Sequence, residues 1–170
     1  TLPVKDYVAG LAGRFTNVVY IGSTYDEPLP RAFIDDALTG NVPVMWSGFN
    51  IWQLAKTDAD RAAFTQRYGW DAATSYIDST DRVTRISYNG ASLKRNELNT
   101  GGITAPHITR EQDVKVLGRA ECSKPDDAAT ACASVAQSGT SSFPWAVSSS
   151  GLTFIGEIPL TYLGEQDRYI

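Results

Sequence analysis

The sequence predicts an α/β fold in which a parallel sheet is followed by an antiparallel β layer. Two short apolar runs, Val18–Ile21 and Val42–Trp46, each end at a glycine-containing turn, as buried parallel strands do. A segment with helical spacing lies between them, over residues 31–38. After Trp70 the pattern changes to short alternating runs, which are typical of antiparallel strands. Together these observations predict a β-α-β unit joined to a β-rich second half.

The helix between the two strands has a recognisable beginning and end. Pro30 suits the first turn of a helix, because its fixed φ is helical and the N–H it lacks would be unpaired there. Gly40 is a suitable stop. The apolar stripe of this helix consists of Phe33, Ile34, Ala37 and Leu38. Since the two strands are expected to be parallel, the connection should be a right-handed crossover.

Two further helical segments are predicted after the second strand. Asn50 is a candidate N-cap for a short helix over Ile51–Ala55. Asp58 or Asp60 is expected to cap a second helix that stops at Gly69. The first half of the chain is therefore a predicted β-α-β-α unit.

The second half contains a strong hairpin signal. Residues 83–88 alternate at a period of two and run into Asn89-Gly90, the dipeptide most typical of a two-residue hairpin turn. The returning strand is expected over residues 91–95. Further strand-like segments cover residues 108–110, 113–120, 143–148 and 152–158, with a turn at 149–151 before the last.

Length, composition and charge limit the class of protein. A chain of 170 residues suits one domain, here with a β-α-β-α half over 1–70 and a β-rich half with a cysteine loop over 71–170. A net charge of -4 and a pI near 4.9 argue against a nucleic-acid binder. No apolar run approaches the roughly 18–20 residues that cross a bilayer. The chain begins Thr1-Leu2-Pro3, so we expect a mature or excised fragment.

Two cysteines, Cys122 and Cys132, lie ten positions apart in a polar segment rich in Ala, Ser, Thr and Asp. Such a pair favours a disulfide that closes a short loop, since a metal site would need further ligands nearby. Two unrelated free thiols are the alternative. A disulfide would place the protein outside the cytoplasm, in the periplasm, at the cell surface or in the medium.

Aromatic and glycine residues follow both predicted parallel strands in two specific motifs. Tyr20–Asp26 reads YIGSTYD and Trp46–Leu54 reads WSGFNIWQL. Further motifs are Pro28–Pro30, Tyr88–Gly90 with Leu93, Pro144–Val147 and Ile158–Tyr162. With these motifs, the segment Val18–Tyr169 resembles a bacterial family of unknown function that is grouped with the polysaccharide deacetylases.

The resemblance implies a more specific fold and setting. The parallel sheet would be of the flavodoxin-like or class I amidotransferase-like type, with an antiparallel β extension. The chain would precede a deacetylase-like domain beyond Ile170 in an exported protein. The implied partners are that domain and a polysaccharide, without nucleic acid and without a membrane span in this chain.

Metal-dependent deacetylation is not expected of this chain. Deacetylases similar to this family need an aspartate pair and a paired-histidine segment to hold a metal and activate water. His107 is the only histidine, so no metal site is predicted. The sequence has no G-x-G-x-x-G or P-loop spacing, and no cofactor is predicted. Asp35 and Asp36 are adjacent, but their place in a helical stripe favours a solvated face.

A nucleophilic hydrolase is a second hypothesis. Ser47 lies on a strand-to-helix turn, where amidotransferase-like and hydrolase-like folds place their nucleophile. His107 would have to be its base, within hydrogen-bond reach. The G-x-S-x-G frame is absent, and the amidotransferase version would have a cysteine, so a tight structural turn is the better interpretation.

The leading hypothesis is a non-catalytic accessory domain that binds or positions glycan. Polar and aromatic residues follow both strand ends and are predicted to converge at the carboxyl edge of the sheet, where open α/β folds bind ligands. The candidate ligand-binding residues are Tyr25, Asp26, Phe49, Asn50 and Trp52. A structural or oligomerisation module is the remaining alternative. An exposed aromatic cleft would favour glycan binding, whereas a Ser47–His107 hydrogen bond would favour the hydrolase.

Overall fold

A computed structural model describes residues 1–73, 76–77, 83–94, 103–122 and 142–158 of the chain. In chain order its strands are β1 (Val18–Gly22), β2 (Val44–Gly48), β3 (Trp70–Asp71), β4 (Tyr76–Ile77), β5 (Val83–Tyr88), β6 (Ala91–Lys94), β7 (Ile103–Thr104), β8 (His107–Ile108), β9 (Lys115–Cys122), β10 (Ser142–Ser149) and β11 (Leu152–Ile155). The α-helices are α1 (Arg31–Thr39) and α2 (Asp58–Tyr68). Short 3₁₀ turns cover Val4–Asp6, Ala12–Arg14, Ile51–Ala55 and Glu111–Asp113.

A curled seven-stranded mixed sheet forms the centre of the fold, in the order β1-β2-β11-β10-β9-β5-β6. Its first three strands are parallel and the remaining pairings are antiparallel. The predicted mixed α/β class and the parallel β1–β2 pair are therefore confirmed. The position of β11, parallel to β2 and between the two halves, was not predicted. It makes one continuous sheet of the two predicted halves.

The parallel strands present one face to both helices. Tyr20 lies opposite Trp46, and Trp46 lies opposite Phe154, so these three rings share a face. The Phe33 ring of α1 stacks 5.8 Å from that of Trp46. Phe64 of α2 joins the same core cluster, and both it and Trp46 are fully buried. Burial of these aromatic rings fixes both helices to this face.

Helix α1 begins and ends as predicted. Pro30 occupies the N-cap position and Gly40 the C-cap position, and the four residues of the predicted stripe are buried. The adjacent aspartates are both partly exposed, in keeping with the predicted solvated face, and both also have partners that were not predicted. Asp35 pairs with Arg31 at 2.6 Å. Asp36 accepts hydrogen bonds from the Tyr7 hydroxyl at 2.6 Å and from a main-chain N–H at 2.7 Å, and so it fastens the N-terminal segment to α1.

The N-terminus of α2 differs from the prediction. Thr57, rather than Asp58 or Asp60, is the N-cap, and its hydroxyl accepts a hydrogen bond from the Asp60 N–H at 3.1 Å. Thr57 has the extended backbone of a cap, whereas both aspartates are already helical. The Asp60 carboxylate instead accepts from Arg31 of α1 at 2.9 Å, which lowers the Asp60 pKa and ties the two helices together. Gly69 ends the helix in the left-handed region, as predicted.

The antiparallel half is built around a second core. The predicted hairpin is confirmed, with Asn89 and Gly90 both at positive φ between β5 and β6. Phe143 and Ile86 are fully buried in this cluster, and Trp145 is almost so. Two short antiparallel pairs, β3 with β8 and β4 with β7, lie outside the main sheet. Neither short pair was predicted.

Candidate functional site

The carboxyl ends of β1 and β2 bring two loops into contact. Gly22 lies opposite Gly48 at the end of the parallel register, and the Phe49 N–H donates to the Gly22 carbonyl at 3.0 Å. A Cβ atom at Gly22 would lie only 2.2 Å from the Phe49 carbonyl oxygen. Glycine at this position therefore allows the main chain after β2 to cross close to the end of β1. As a result, the loop after β1 (residues 23–30) and the loop after β2 (residues 49–57) are neighbours.

A buried polar network supports these loops from below. The Asn50 amide donates to the Tyr20 hydroxyl at 3.0 Å, and its carbonyl accepts from Gln53 at 3.1 Å. Gln53 also donates to the Glu27 carbonyl at 2.6 Å and accepts from the Leu29 N–H at 3.0 Å. Burial raises the pKa of Tyr20, against the opposing effect of Asn50, so its hydroxyl stays protonated. The network holds the main chain of the first loop onto the second.

Above this network lie three aromatic rings, Tyr25, Phe49 and Trp52, which we call the aromatic platform. The Tyr25 and Trp52 rings stack with centroids 5.8 Å apart and planes inclined at 28°. Phe49 meets Tyr25 edge-on at 6.2 Å. The Trp52 indole N–H donates to the Tyr25 carbonyl at 3.0 Å. Tyr25 is the outermost ring, with 47% of its surface exposed.

Polar and charged groups border the aromatic platform. Asp26 follows Tyr25 and is exposed. The ammonium group of Lys56 lies 5.8 Å from the centre of the Trp52 ring, within the range of a cation–π contact. Sequence reasoning missed Lys56, because it comes after the predicted helix and carries no motif.

Of the five predicted ligand-binding residues, Tyr25, Phe49 and Trp52 are in contact through their rings, and Asp26 is exposed next to Tyr25 in the chain. That they bind a ligand stays a prediction. Asn50 departs from the expectation, because it is buried. Its side chain is 1% exposed, and its amide is taken by Tyr20 and Gln53. Asn50 does precede the predicted short helix, but that helix is a 3₁₀ turn and the Asn50 side chain does not cap it.

The structure gives Ser47 and His107 separate surroundings. Ser47 is completely buried, and its hydroxyl donates to the Glu157 carbonyl at 2.9 Å. His107 is exposed on β8, opposite Asp71 of β3. Burial acts to raise the Asp71 pKa, but hydrogen bonds from Arg61 and a main-chain N–H, with the nearby charges, lower it overall. Within the described ranges no hydrogen bond joins Ser47 to His107.

A buried acid close to this edge was also missed. Glu157 is 4% exposed, and its carboxylate accepts from the Trp145 indole N–H at 3.3 Å. Glu157 was missed because it fell within the predicted strand over 152–158, whereas β11 ends two residues before it. Its carbonyl is the acceptor for Ser47, so Glu157 links the middle of β10 to the end of β2.

Several other predictions concern metals, cysteines and membranes. Among the described residues, no cluster of three or more His, Cys, Asp or Glu side chains could hold a metal ion. Cys132 lies outside the described residues and Cys122 is described only in its backbone, so the disulfide stays a prediction. No helix in the described part of the chain has the length and hydropathy needed to cross a membrane.

Comparisons with protein-family models, with curated proteins and with solved structures found no match for this chain.

Proposed function

We propose that this chain is a non-catalytic accessory domain that binds or positions glycan at the aromatic platform. Its setting would be an exported protein of the polysaccharide-deacetylase-like kind, with the deacetylase-like domain and the polysaccharide as partners. The observation that carries the proposal is the exposed Tyr25 ring, stacked on Trp52 at the carboxyl edge of two parallel strands. In open α/β sheets this edge is where ligands bind.

The chemistry of the platform suits a sugar. The C–H faces of a pyranose ring are apolar and pack on a flat aromatic surface, while its hydroxyls need hydrogen-bonding groups at the rim. Tyr25 offers the aromatic face, and Asp26, the next residue in the chain, is exposed and can supply a hydrogen-bonding carboxylate. The Tyr25 main chain is held by Trp52, so little conformational entropy is lost when a ligand stacks there.

We also propose that the parallel half is of the flavodoxin-like or class I amidotransferase-like type. The β1-α1-β2 unit and the loops at its carboxyl edge support this fold type. Both described helices lie on one face of the sheet, whereas doubly wound folds cover both faces. The chain would therefore keep one helical layer of such a fold and extend its sheet with antiparallel strands.

The hydrolase alternative finds less support. A serine nucleophile needs an exposed hydroxyl and a base to accept its proton. The Ser47 hydroxyl is buried and donates to a main-chain carbonyl instead. This hydrogen bond joins the end of β2 to the chain after β11, which is a structural role.

Glycan titration of the full chain and two Tyr25 variants tests the proposal. Acetylated and deacetylated oligosaccharides are titrated by calorimetry. Tyr25→Ala removes the stacking surface and should weaken binding about tenfold or more, as loss of a central aromatic contact does. Tyr25→Phe keeps the ring and should keep most of the affinity. Because the ring is half-exposed, both variants should unfold within about 1 kcal/mol of the parent.

The result that contradicts the proposal is equally clear. If no oligosaccharide binds the parent chain, or if Tyr25→Ala binds as the parent does, the platform is not a glycan site. A structural or oligomerisation role would then explain the exposed rings better.

The proposed location outside the cytoplasm has its own test. Export favours a disulfide between Cys122 and Cys132, which should leave no titratable thiol under denaturing, non-reducing conditions. Closure of so short a loop is worth roughly 2–3 kcal/mol in the chain-entropy model. Two free thiols in protein purified from its native source would contradict the disulfide and remove this support for export.

A further inference from the structure

Strand β1 lies at the edge of the main sheet formed by the described strands. Within the described ranges it pairs only with β2. The Val18 N–H donates to the Pro43 carbonyl at 2.9 Å, and the Gly22 carbonyl accepts from the loop after β2. In a parallel pair, alternate residues direct their main-chain groups to the same neighbour. The N–H and C=O groups of Val19 and Ile21 therefore point away from β2, along the open edge.

The same residues expose apolar side chains. Val19 is 62% exposed and Ile21 is 59% exposed, on the face that the helices leave uncovered. Met45 lies opposite Val19 on that face. A groove of about 500 Å³ adjoins β1, and its lining includes the exposed Leu2 and Phe15. An open strand edge beside an apolar groove is the surface that an added strand covers.

The chain after β11 passes the carboxyl ends of β2 and β1. The Glu157 carbonyl accepts from Ser47 of β2. The next residue, Ile158, packs against the end of β2, since a Cβ at Gly48 would lie 2.5 Å from its Cγ2 atom and 2.7 Å from the Gly22 carbonyl oxygen. The chain thus leaves β11, passes the carboxyl end of β2 and reaches the end of β1.

We propose that the open edge of β1, with the adjoining groove, is the docking site for the segment of this chain that follows Ile158. Residues 159–170 lie outside the described residues. They provide up to about 40 Å of extended chain, against about 17 Å for the five residues of β1. Their first part, Pro159–Gly164, reads PLTYLG and carries the apolar side chains that the groove would cover.

The position and direction of the chain after Ile158 favour this segment as the occupant. A segment that starts at the carboxyl end of β1 and turns back runs antiparallel to it. An antiparallel strand can pair with the outward main-chain groups of Val19 and Ile21 and cover their side chains. It would also remove a free edge on which a second copy of the chain could add.

Amide hydrogen exchange of the full chain tests the proposal. The Val19 and Ile21 amides should exchange at least about tenfold more slowly than in an unstructured peptide, at every protein concentration. The Val18 amide, which already pairs with β2, is the internal reference for an intact sheet. Exchange at the unstructured rate would overturn the proposal. Protection that grows with protein concentration would also overturn it, because a second copy would then be the occupant.

Two full-length variants separate docking from a general effect of charge. Leu160→Asp places a carboxylate in the apolar part of the segment and should abolish the protection of Val19 and Ile21. Gln166→Asp adds the same charge farther along the segment and should leave the protection unchanged. The Val18 amide should stay protected in both. Loss of protection in both variants, or in neither, would overturn the proposal.

Discussion

Gln53 is the residue whose replacement tests the support beneath the aromatic platform. It is 5% exposed and makes three hydrogen bonds with Glu27, Leu29 and Asn50. Each bond contributes about 0.5–1.5 kcal/mol net, and a buried main-chain group left unpaired costs about 1–3 kcal/mol. Gln53→Ala should therefore lower the free energy of unfolding by about 2–4 kcal/mol.

Gln53→Ala should disturb the aromatic platform as well as lower the free energy of unfolding. The Glu27 carbonyl and the Leu29 N–H would lose their partner, and both belong to the loop that carries Tyr25. Glycan affinity should fall in Gln53→Ala even though Gln53 touches no ligand. The Trp52 indole hydrogen bond to the Tyr25 carbonyl and the ring contacts of Tyr25 with Phe49 and Trp52 would remain between the two loops.

Urea unfolding followed by tryptophan fluorescence measures the change. Gln66→Ala is the matched control, because Gln66 is exposed on α2 and no hydrogen bond of its side chain occurs among the described residues, while its carbonyl accepts from Arg110. The control should stay within about 0.5 kcal/mol of the parent. If Gln53→Ala and Gln66→Ala unfold at the same denaturant concentration, the network does not hold the loops together.

Two further predictions concern close packing and pH. Gly22→Ala should destabilise by about 1–3 kcal/mol or more in a thermal melt, because its Cβ would meet the Phe49 carbonyl. Gly13→Ala, with nothing within 4 Å of the new atom, should not destabilise. Burial and the bond to Asp36 raise the pKa of Tyr7 to about 12 from 10, so the stability Tyr7 contributes is complete below pH 10 and is lost as the pH approaches 12. The difference in phenolate absorbance between the parent and Tyr7→Phe should titrate as one group near pH 12, and a midpoint near 10 in that difference would contradict this contact.

Local signals in the sequence predicted the individual elements well. Pro30 and Gly40 flank α1, as the sequence predicts, for reasons that act within one turn of the helix: the φ of Pro30 is fixed, and a Cβ at Gly40 would lie 2.4 Å from the Asp36 carbonyl oxygen. Asn89-Gly90 adopts the two positive φ values that its hairpin turn requires. These preferences depend on a few neighbouring residues, so they can be recognised without the tertiary structure.

Pairings between distant residues could not be predicted in the same way. The insertion of β11 beside β2 depends on which strands meet, and an apolar alternation does not name its partner. Asn50 is a polar residue that follows a strand end, as a ligand-binding residue would, yet its buried side-chain amide forms hydrogen bonds with Tyr20 and Gln53. Asp36 similarly finds a partner in Tyr7, 29 positions away.

The indole N–H resonances of the four tryptophans provide the most direct measurement of the central claim. Trp52 lies in the aromatic platform, whereas Trp46 and Trp70 are fully buried in the core and act as references. During an NMR titration of the full chain with oligosaccharide, the Trp52 resonance should shift and saturate while the two references stay in place. A saturating titration that leaves Trp52 unmoved would contradict glycan binding at this edge of the sheet.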